Sequence, residues 1–260
     1  MSDEAYLLDD VDMVKFIVNG YHVLDLNLPD GLDEEIAEQL DALNQNPGDA
    51  ITEAVPQLRL VMGNPRFDGA LTSLLGRNYE TQSHRHWHCR PAGTGHMQWH
   101  QDSTNNRDIR LNRLLGLYYP RKVTASMGPT VVVPGTQFRN APTDRMATYT
   151  NIRGQVPLVV KAGTMAITHY DLWHGTAANT SGVPRHMVKF LFRRTEDNTE
   201  PTWNHEPDAL NKPRDWNLLD KAEDPGNILA FGNPLKVSQS DHYKERIIRR
   251  ACWEYLVGTG

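Results

Sequence analysis

A histidine and an aspartate one residue apart, His100 and Asp102, and a second histidine far downstream, His174, constrain this chain most, because their chemistry requires a fold that brings them together. Two neutral imidazoles and one carboxylate on a single face of an Fe(II) ion leave coordination positions open, the pattern of non-haem iron oxygenation sites. On an extended strand, residues i and i+2 leave the same face of the backbone, so one strand end supplies both His100 and Asp102. His174 must then arrive from a strand remote in sequence and adjacent in space. The run at 166–173 (AITHYDLW) reads as the strand that delivers it, and the long interval leaves room for the intervening strands of a barrel.

Arg185 follows eleven positions after His174, across a stretch rich in loop punctuation: Asn179, Ser181, Gly182 and Pro184. The spacing predicts a strand, a turn and an antiparallel return, with Arg185 opening the returning strand at 185–192. Its guanidinium can then lie beside the metal without touching it, and a planar fork of donors suits bidentate capture of a carboxylate.

With these residues in order, the stretch from about 82 to 194 resembles the phytanoyl-CoA dioxygenase family of Fe(II)- and 2-oxoglutarate-dependent oxygenases. The segments 128–135 (GPTVVVPG), 163–167 (GTMAI) and 174–179 (HGTAAN) strengthen the resemblance. A lone His-x-Asp arises often by chance; the distal histidine, the arginine and the Gly-Pro-Thr segment together are specific. The resemblance implies a mainly β fold with flanking α-helices and a double-stranded β-helix (jelly-roll, cupin-like) core. It implies His100, Asp102 and His174 as metal ligands and catalytic residues, with Arg185 and Thr176 holding the far carboxylate of 2-oxoglutarate. Gln82 and Tyr118 fall near positions that contact the same co-substrate in the family, with Ser83 as the neighbouring match for Gln82. A carboxylate at 102, rather than the small residue of related halogenases, favours hydroxylation, desaturation or ring closure over halogenation.

A second His-x-Asp, His169 and Asp171, competes for the proximal role. Its distal partner would have to be His205 or His242, neither of which has an arginine eleven positions beyond, so His169 and Asp171 read instead as residues supporting the strand that delivers His174. His84, His86 and His88 share one face of a presumed strand. No glutamate follows at the spacing a cupin-type site needs, so the plainer reading is a barrel strand with polar residues turned to the pocket or to solvent. If Arg185 points into the barrel, alternation sends Met187, Lys189 and Leu191 the same way, and Lys189 is an unusual inward cation. Lys189, with Arg85 or a histidine such as His88, is then a candidate grip for an anionic substrate; the competing reading pairs Lys189 with a local acid or leaves it near the barrel mouth.

The rest of the chain sets bounds. Its 260 residues suit one oxygenase domain, 1–260, with an N-terminal part at 1–78, a strand-rich core at 79–195 carrying the metal site, and an extension at 196–260 ending in a helix. A net charge of −5, with no basic run, argues against nucleic acid and anionic membrane as partners. Cys89 and Cys252 stand far apart, which disfavours both a disulfide scaffold and a structural zinc. The acidic start and the lack of a long apolar run point to a cytoplasmic protein without a membrane span, acting on a small molecule as a monomer or homodimer.

Within the first zone the residues predict a strand at 16–24 and two helices. One starts near Leu32, with Leu32, Ile36, Leu40 and Leu43 on one face; the other is capped by Asn64, with Pro65 in its first turn and Gly76 as its stop. Strands are expected at 112–119, 130–133 and 156–160, and a helix at 240–256 with Ile247, Ala251 and Tyr255 beside Ile248, Cys252 and Leu256. The expected function is that of a dioxygenase using Fe(II), 2-oxoglutarate and O2 to hydroxylate an unactivated carbon of a small metabolite. Oxidative desaturation or ring closure at the same site is the alternative, as is a non-catalytic 2-oxoglutarate sensor. A zinc hydrolase could use two His and one Asp but has no need of the Arg185 and Thr176 pair.

Overall fold

The computed structural model describes residues 4–103, 108–139, 151–211, 224–231 and 239–259. Helix α1 (Asp10–Asn19) leads into strand β1 (Tyr21–Asp25), followed by α2 (Leu32–Asp41), two short helices α3 (Ile51–Ala54) and α4 (Leu58–Met62), and α5 (Pro65–Leu75). Nine strands follow: β2 (Glu80–Thr81), β3 (His86–Arg90), β4 (Met97–His100), β5 (Arg113–Tyr119), β6 (Thr130–Val132), β7 (Val156–Pro157), β8 (Thr164–His169), β9 (His174–Thr176) and β10 (Arg185–Arg193). Helices α6 (Pro225–Phe231) and α7 (Gln239–Val257) come last.

The strands form two open antiparallel sheets. The larger runs β1-β8-β5-β10-β2, with β3 also paired to β10; the smaller runs β4-β9-β6-β7. β5, β8 and β10 are buried along nearly their whole length because they are covered on both faces. Outward-facing Leu114, Tyr118, Met165, Ile167, Val188, Phe190 and Phe192 pack with Phe67, Leu71 and Leu74 of α5. Inward-facing Leu115, Leu117, Tyr119, Ala166, Met187 and Leu191 pack with Val132 of the smaller sheet. Each fully buried side chain of this kind stabilises the fold by about 1.5–3 kcal/mol before cavity and strain effects. This β core with helices on its outside is the jelly-roll class expected from the resemblance.

Both predicted helices of the first zone are present. Asn64 Oδ1 accepts from the amides of Arg66 and Phe67 at 3.0 and 3.4 Å, and Pro65 opens α5. The expected strand at 16–24 is corrected: its first half belongs to α1. Asp9 caps that helix through the Asp12 amide, Met13, Val14, Phe16 and Ile17 are buried, and Gly20 ends it at φ +78, so the strand-favouring run Phe16–Val18 is held helical by tertiary burial. The strand at 166–173 is also shorter than expected. It stops at His169, and a turn carries the chain to β9 in the other sheet. Consequently β9 and β10 are not a hairpin; the link between them crosses from the smaller sheet to the larger. In α7 the buried line is Glu245, Arg249, Cys252, Trp253 and Leu256, while Ile247 is 54% exposed. Arg249 is buried because Glu245 accepts from it at 3.0 Å and also from Arg139. Among the described residues no helix is long and apolar enough to cross a membrane.

Candidate metal and co-substrate site

Two short strands close the long sequence interval. β4 and β9 pair antiparallel with His100 opposite His174, so the two imidazoles are direct cross-strand neighbours on one face, with ring centroids 4.2 Å apart. Asp102 lies just beyond the end of β4, where its amide donates to Tyr170 O at 3.4 Å, a contact to the turn that follows β8. Ligand atoms of His100, Asp102 and His174 all lie within 4.8 Å of one another. Among the described residues no other group of His, Cys, Asp and Glu side chains converges in this way.

Backbone carbonyls orient both imidazoles. His100 Nδ1 lies 3.1 Å from Gln98 O and His174 Nδ1 lies 2.9 Å from Leu172 O, so in each ring Nδ1 carries the proton and Nε2 keeps its lone pair for a metal. Asp102 is largely buried, which by itself opposes ionisation. The neighbouring His174, Lys189 and His100 side chains and the hydrogen bond from Lys189 outweigh burial and hold the carboxyl below its ordinary range. Lys189 Nζ stands 3.3 Å from Asp102 Oδ2. Of the two readings of Lys189, pairing with a local acid is therefore the observed one, and the acid is a candidate ligand.

A cavity of about 150 Å³ adjoins the triad, lined by His100, His174, Thr130, Thr176, Arg185 and Lys189, with Met97, Leu117 and Met187 as apolar walls. Arg185 is 2% exposed. Its Nε and Nη2 donate to Gly128 O at 3.2 and 3.0 Å, while Nη1 is buried with no partner. Gly128 has φ +68, and a Cβ there would meet Ala177 O at 2.8 Å, so only glycine presents this carbonyl to the arginine. The Gly-Pro-Thr segment thus fixes the guanidinium by its outer edge and leaves one donor to be satisfied. A buried cation with an unused donor, in a cavity shared with a hydroxyl, fits an incoming carboxylate.

The remaining expected residues divide. His88 lines the cavity, its Nε2 buried without a partner; burial, then the charges of Lys189 and Arg185, push its pKa down to about 3, so the ring is neutral. Tyr118 does not reach the cavity: it faces the helices, and its hydroxyl donates to Asp33 at 2.6 Å. Tyr119, one residue on, has the inward orientation, and its hydroxyl donates to Thr130 Oγ1 at 3.0 Å. A one-residue choice within a Tyr-Tyr pair flips the face, and local sequence does not resolve it. Gln82 also lies elsewhere, its amide nitrogen donating to Glu80 at 3.0 Å. Arg85 turns away to Thr52 Oγ1 at 3.1 Å and Asp49 O at 3.4 Å. Strand β3 begins at His86, leaving His84 outside it at φ +100, with its amide and that of Arg85 both donating to Asp49 Oδ1. His169 and Asp171 brace the Asp102 turn rather than His174, since Ser103 Oγ donates to Asp171 and His169 Nδ1 accepts from the Asp171 amide.

Residues 29–187 match the model of the phytanoyl-CoA dioxygenase (PhyH) family. No curated protein sequence matches significantly. The fold is similar to that of HygX from Streptomyces hygroscopicus, crystallised with nickel and 2-oxoglutarate, at TM-score 0.60 and 15% identity over 71% of this chain and 86% of that one. It is also similar to the epimerase SnoN in complex with Fe3+, alpha ketoglutarate and nogalamycin RO (TM-score 0.57, 16% identity, 70% and 82% covered). The non-heme monooxygenase ThoJ matches along 96% of this chain and 100% of its own, at TM-score 0.58 and 16% identity. Fold, family model and converged donors together define a 2-oxoglutarate-dependent non-haem iron enzyme. The chain belongs to the phytanoyl-CoA dioxygenase family.

Proposed function

We propose that the protein is a dioxygenase that hydroxylates an unactivated carbon of a small molecule, with 2-oxoglutarate as co-substrate and succinate and CO2 as co-products. The observation that carries the reading is the juxtaposition of three metal-competent donors with a cavity holding Arg185 Nη1 and the Thr176 side chain. His100, Asp102 and His174 would hold Fe(II), and Arg185 with Thr176 would receive the distal carboxylate of 2-oxoglutarate.

Bound iron with 2-oxoglutarate and O2 supplies an oxidant strong enough to attack an unactivated C–H bond. The chain's own residues orient and protect. Gln98 and Leu172 carbonyls fix the imidazole tautomers. Lys189 keeps Asp102 ionised and restricts its rotation. Gly128 O sets the guanidinium plane, and Met97, Leu117 and Met187 exclude water beside the metal.

Anaerobic loading with Fe(II) tests the proposal, followed by 2-oxoglutarate binding and a succinate-release screen over small molecules read by mass. Gain of one oxygen is expected; loss of two hydrogens would instead assign desaturation or ring closure, and unchanged mass with inverted stereochemistry would assign epimerisation. Failure of either iron or 2-oxoglutarate to bind in a His174-dependent manner overturns the reading.

A further inference from the structure

Along β10, Arg185, Lys189 and Arg193 stand at four-residue intervals, so their side chains leave the same face. That face is the inner one, shared with Met187 and Leu191. The first cation adjoins the co-substrate cavity and the second contacts Asp102. The third has no part in the proposed chemistry. At about 3.3 Å per residue, Arg193 lies roughly 13 Å along the sheet from Lys189, on the side opposite to Arg185.

Arg193 is not alone there. It is the register partner of Arg113 on β5, so the two guanidinium-bearing residues sit side by side on one face. They line a polar cavity of about 320 Å³ together with Arg110, Tyr170, Asp171 and Ser103. Ser103 follows Asp102 directly, and the Tyr170 carbonyl accepts from the Asp102 amide, so this cavity borders the turn that carries the candidate ligand.

Charges within it are unevenly matched. Asp108 is occupied, accepting from Arg110 Nε and Nη2 at 2.9 and 3.0 Å and from Asn112 at 2.7 Å. Asp171 accepts from Ser103 Oγ. Arg193 reaches Glu80 at 3.1 Å, but both side chains are about half exposed, and such pairs are weak in water. Arg113 has no ion pair among the described residues; its guanidinium lies 5.7 Å from the centre of the Tyr170 ring. Arg194, on the opposite strand face, is taken up by Leu111 O, Leu74 O and Asn198.

We propose that Arg113 and Arg193 form an anchoring subsite for an oxyanion carried at the far end of the substrate, on the order of 13 Å from the row of Lys189 and Asp102. Its assignment to the substrate rests on the dioxygenase reading; the anion site itself does not. The substrate class is an elongated organic acid, phosphate or carboxylate, whose oxidised carbon lies away from its acid group. Bidentate capture by neighbouring guanidinium groups is the recognition chemistry, and Tyr170 holds Arg113 in place through its ring face.

Inorganic phosphate and acetate serve as probes, titrated calorimetrically into the full chain with 2-oxoglutarate present to fill the inner cavity. Saturable binding of at least one of them is expected. It should persist in His174→Ala, weaken by about tenfold or more in Arg113→Ala, and recover partly in Arg113→Lys. The stronger probe then distinguishes a phosphate from a carboxylate substrate. Absence of saturable binding, displacement by 2-oxoglutarate, or indifference to Arg113→Ala overturns the subsite. Loss of iron or 2-oxoglutarate binding with Arg113-dependent anion binding intact would instead remove the dioxygenase reading alone. Arg113 is exposed, so its variants should melt as the parent does, and circular dichroism verifies that they fold.

Discussion

The two sheets contribute opposite things to the site. From the smaller sheet come His100 and His174, with Asp102 at the end of its first strand; from β10 of the larger come the cations Arg185 and Lys189. Convergence of the two imidazoles is a matter of register within one sheet, where pairing alone brings them together. Charge balance is a matter of sheet facing sheet, because Lys189 meets Asp102 across the gap between layers. A metal site can therefore be specified by strand pairing, whereas its electrostatics depend on packing of the whole core.

Removing a ligand on the smaller sheet should have the largest effect. His174→Ala is expected to abolish stoichiometric iron binding and to lower 2-oxoglutarate turnover by about 100-fold or more, measured by metal analysis and succinate release. If iron affinity survives, the smaller sheet is not the metal platform. On the larger sheet, Arg185→Lys should raise the KM for 2-oxoglutarate by about 10- to 100-fold, because an ammonium cannot donate to both Gly128 O and a carboxylate in the same plane. Iron affinity measured without co-substrate should stay as it is; a change there would blur the division between sheets.

Lys189→Met tests the one contact that joins the two layers. Iron affinity should fall about tenfold, since carboxylate ligands depend on the groups that orient them, while 2-oxoglutarate affinity changes less. The smallest effect concerns His88, whose folded pKa is depressed from 6.5 to about 3 by burial and the two cations. Below about pH 6.5 the unfolded imidazole binds a proton that the folded one does not, so this group costs native stability as pH falls from 6.5 towards 3. At pH 6 the cost is about 1 kcal/mol, so His88→Gln should reduce the loss of unfolding free energy between pH 7.5 and pH 6 by that amount in denaturant titrations.

Much was legible in the residues. The His100, Asp102 and His174 set, Arg185, the strands β5 and β6 and the capped helix α5 all announce themselves through spacing, turn chemistry and caps. These signals are local or chemically specific. Other features were not legible for identifiable reasons. Phe16–Val18 has strand-forming residues but is helical because its apolar side chains are buried on α1. Tyr118 and Tyr119 differ only in parity, and the face of β5 that looks inward is set by its partners β8 and β10. The crossing between β9 and β10 resembles a hairpin link in sequence, since Asn, Gly and Pro punctuate both kinds of connection.

By itself the sequence determined which atoms are available to hold a metal and a keto diacid, because donor chemistry belongs to residue types and survives any fold that unites them. Only the tertiary structure decided which charges those donors meet: that Lys189 turns to Asp102, that Gly128 O holds Arg185, and that Arg113 stands beside Arg193. Those partnerships arise from register and layer packing between segments far apart in the chain, and no local pattern encodes them.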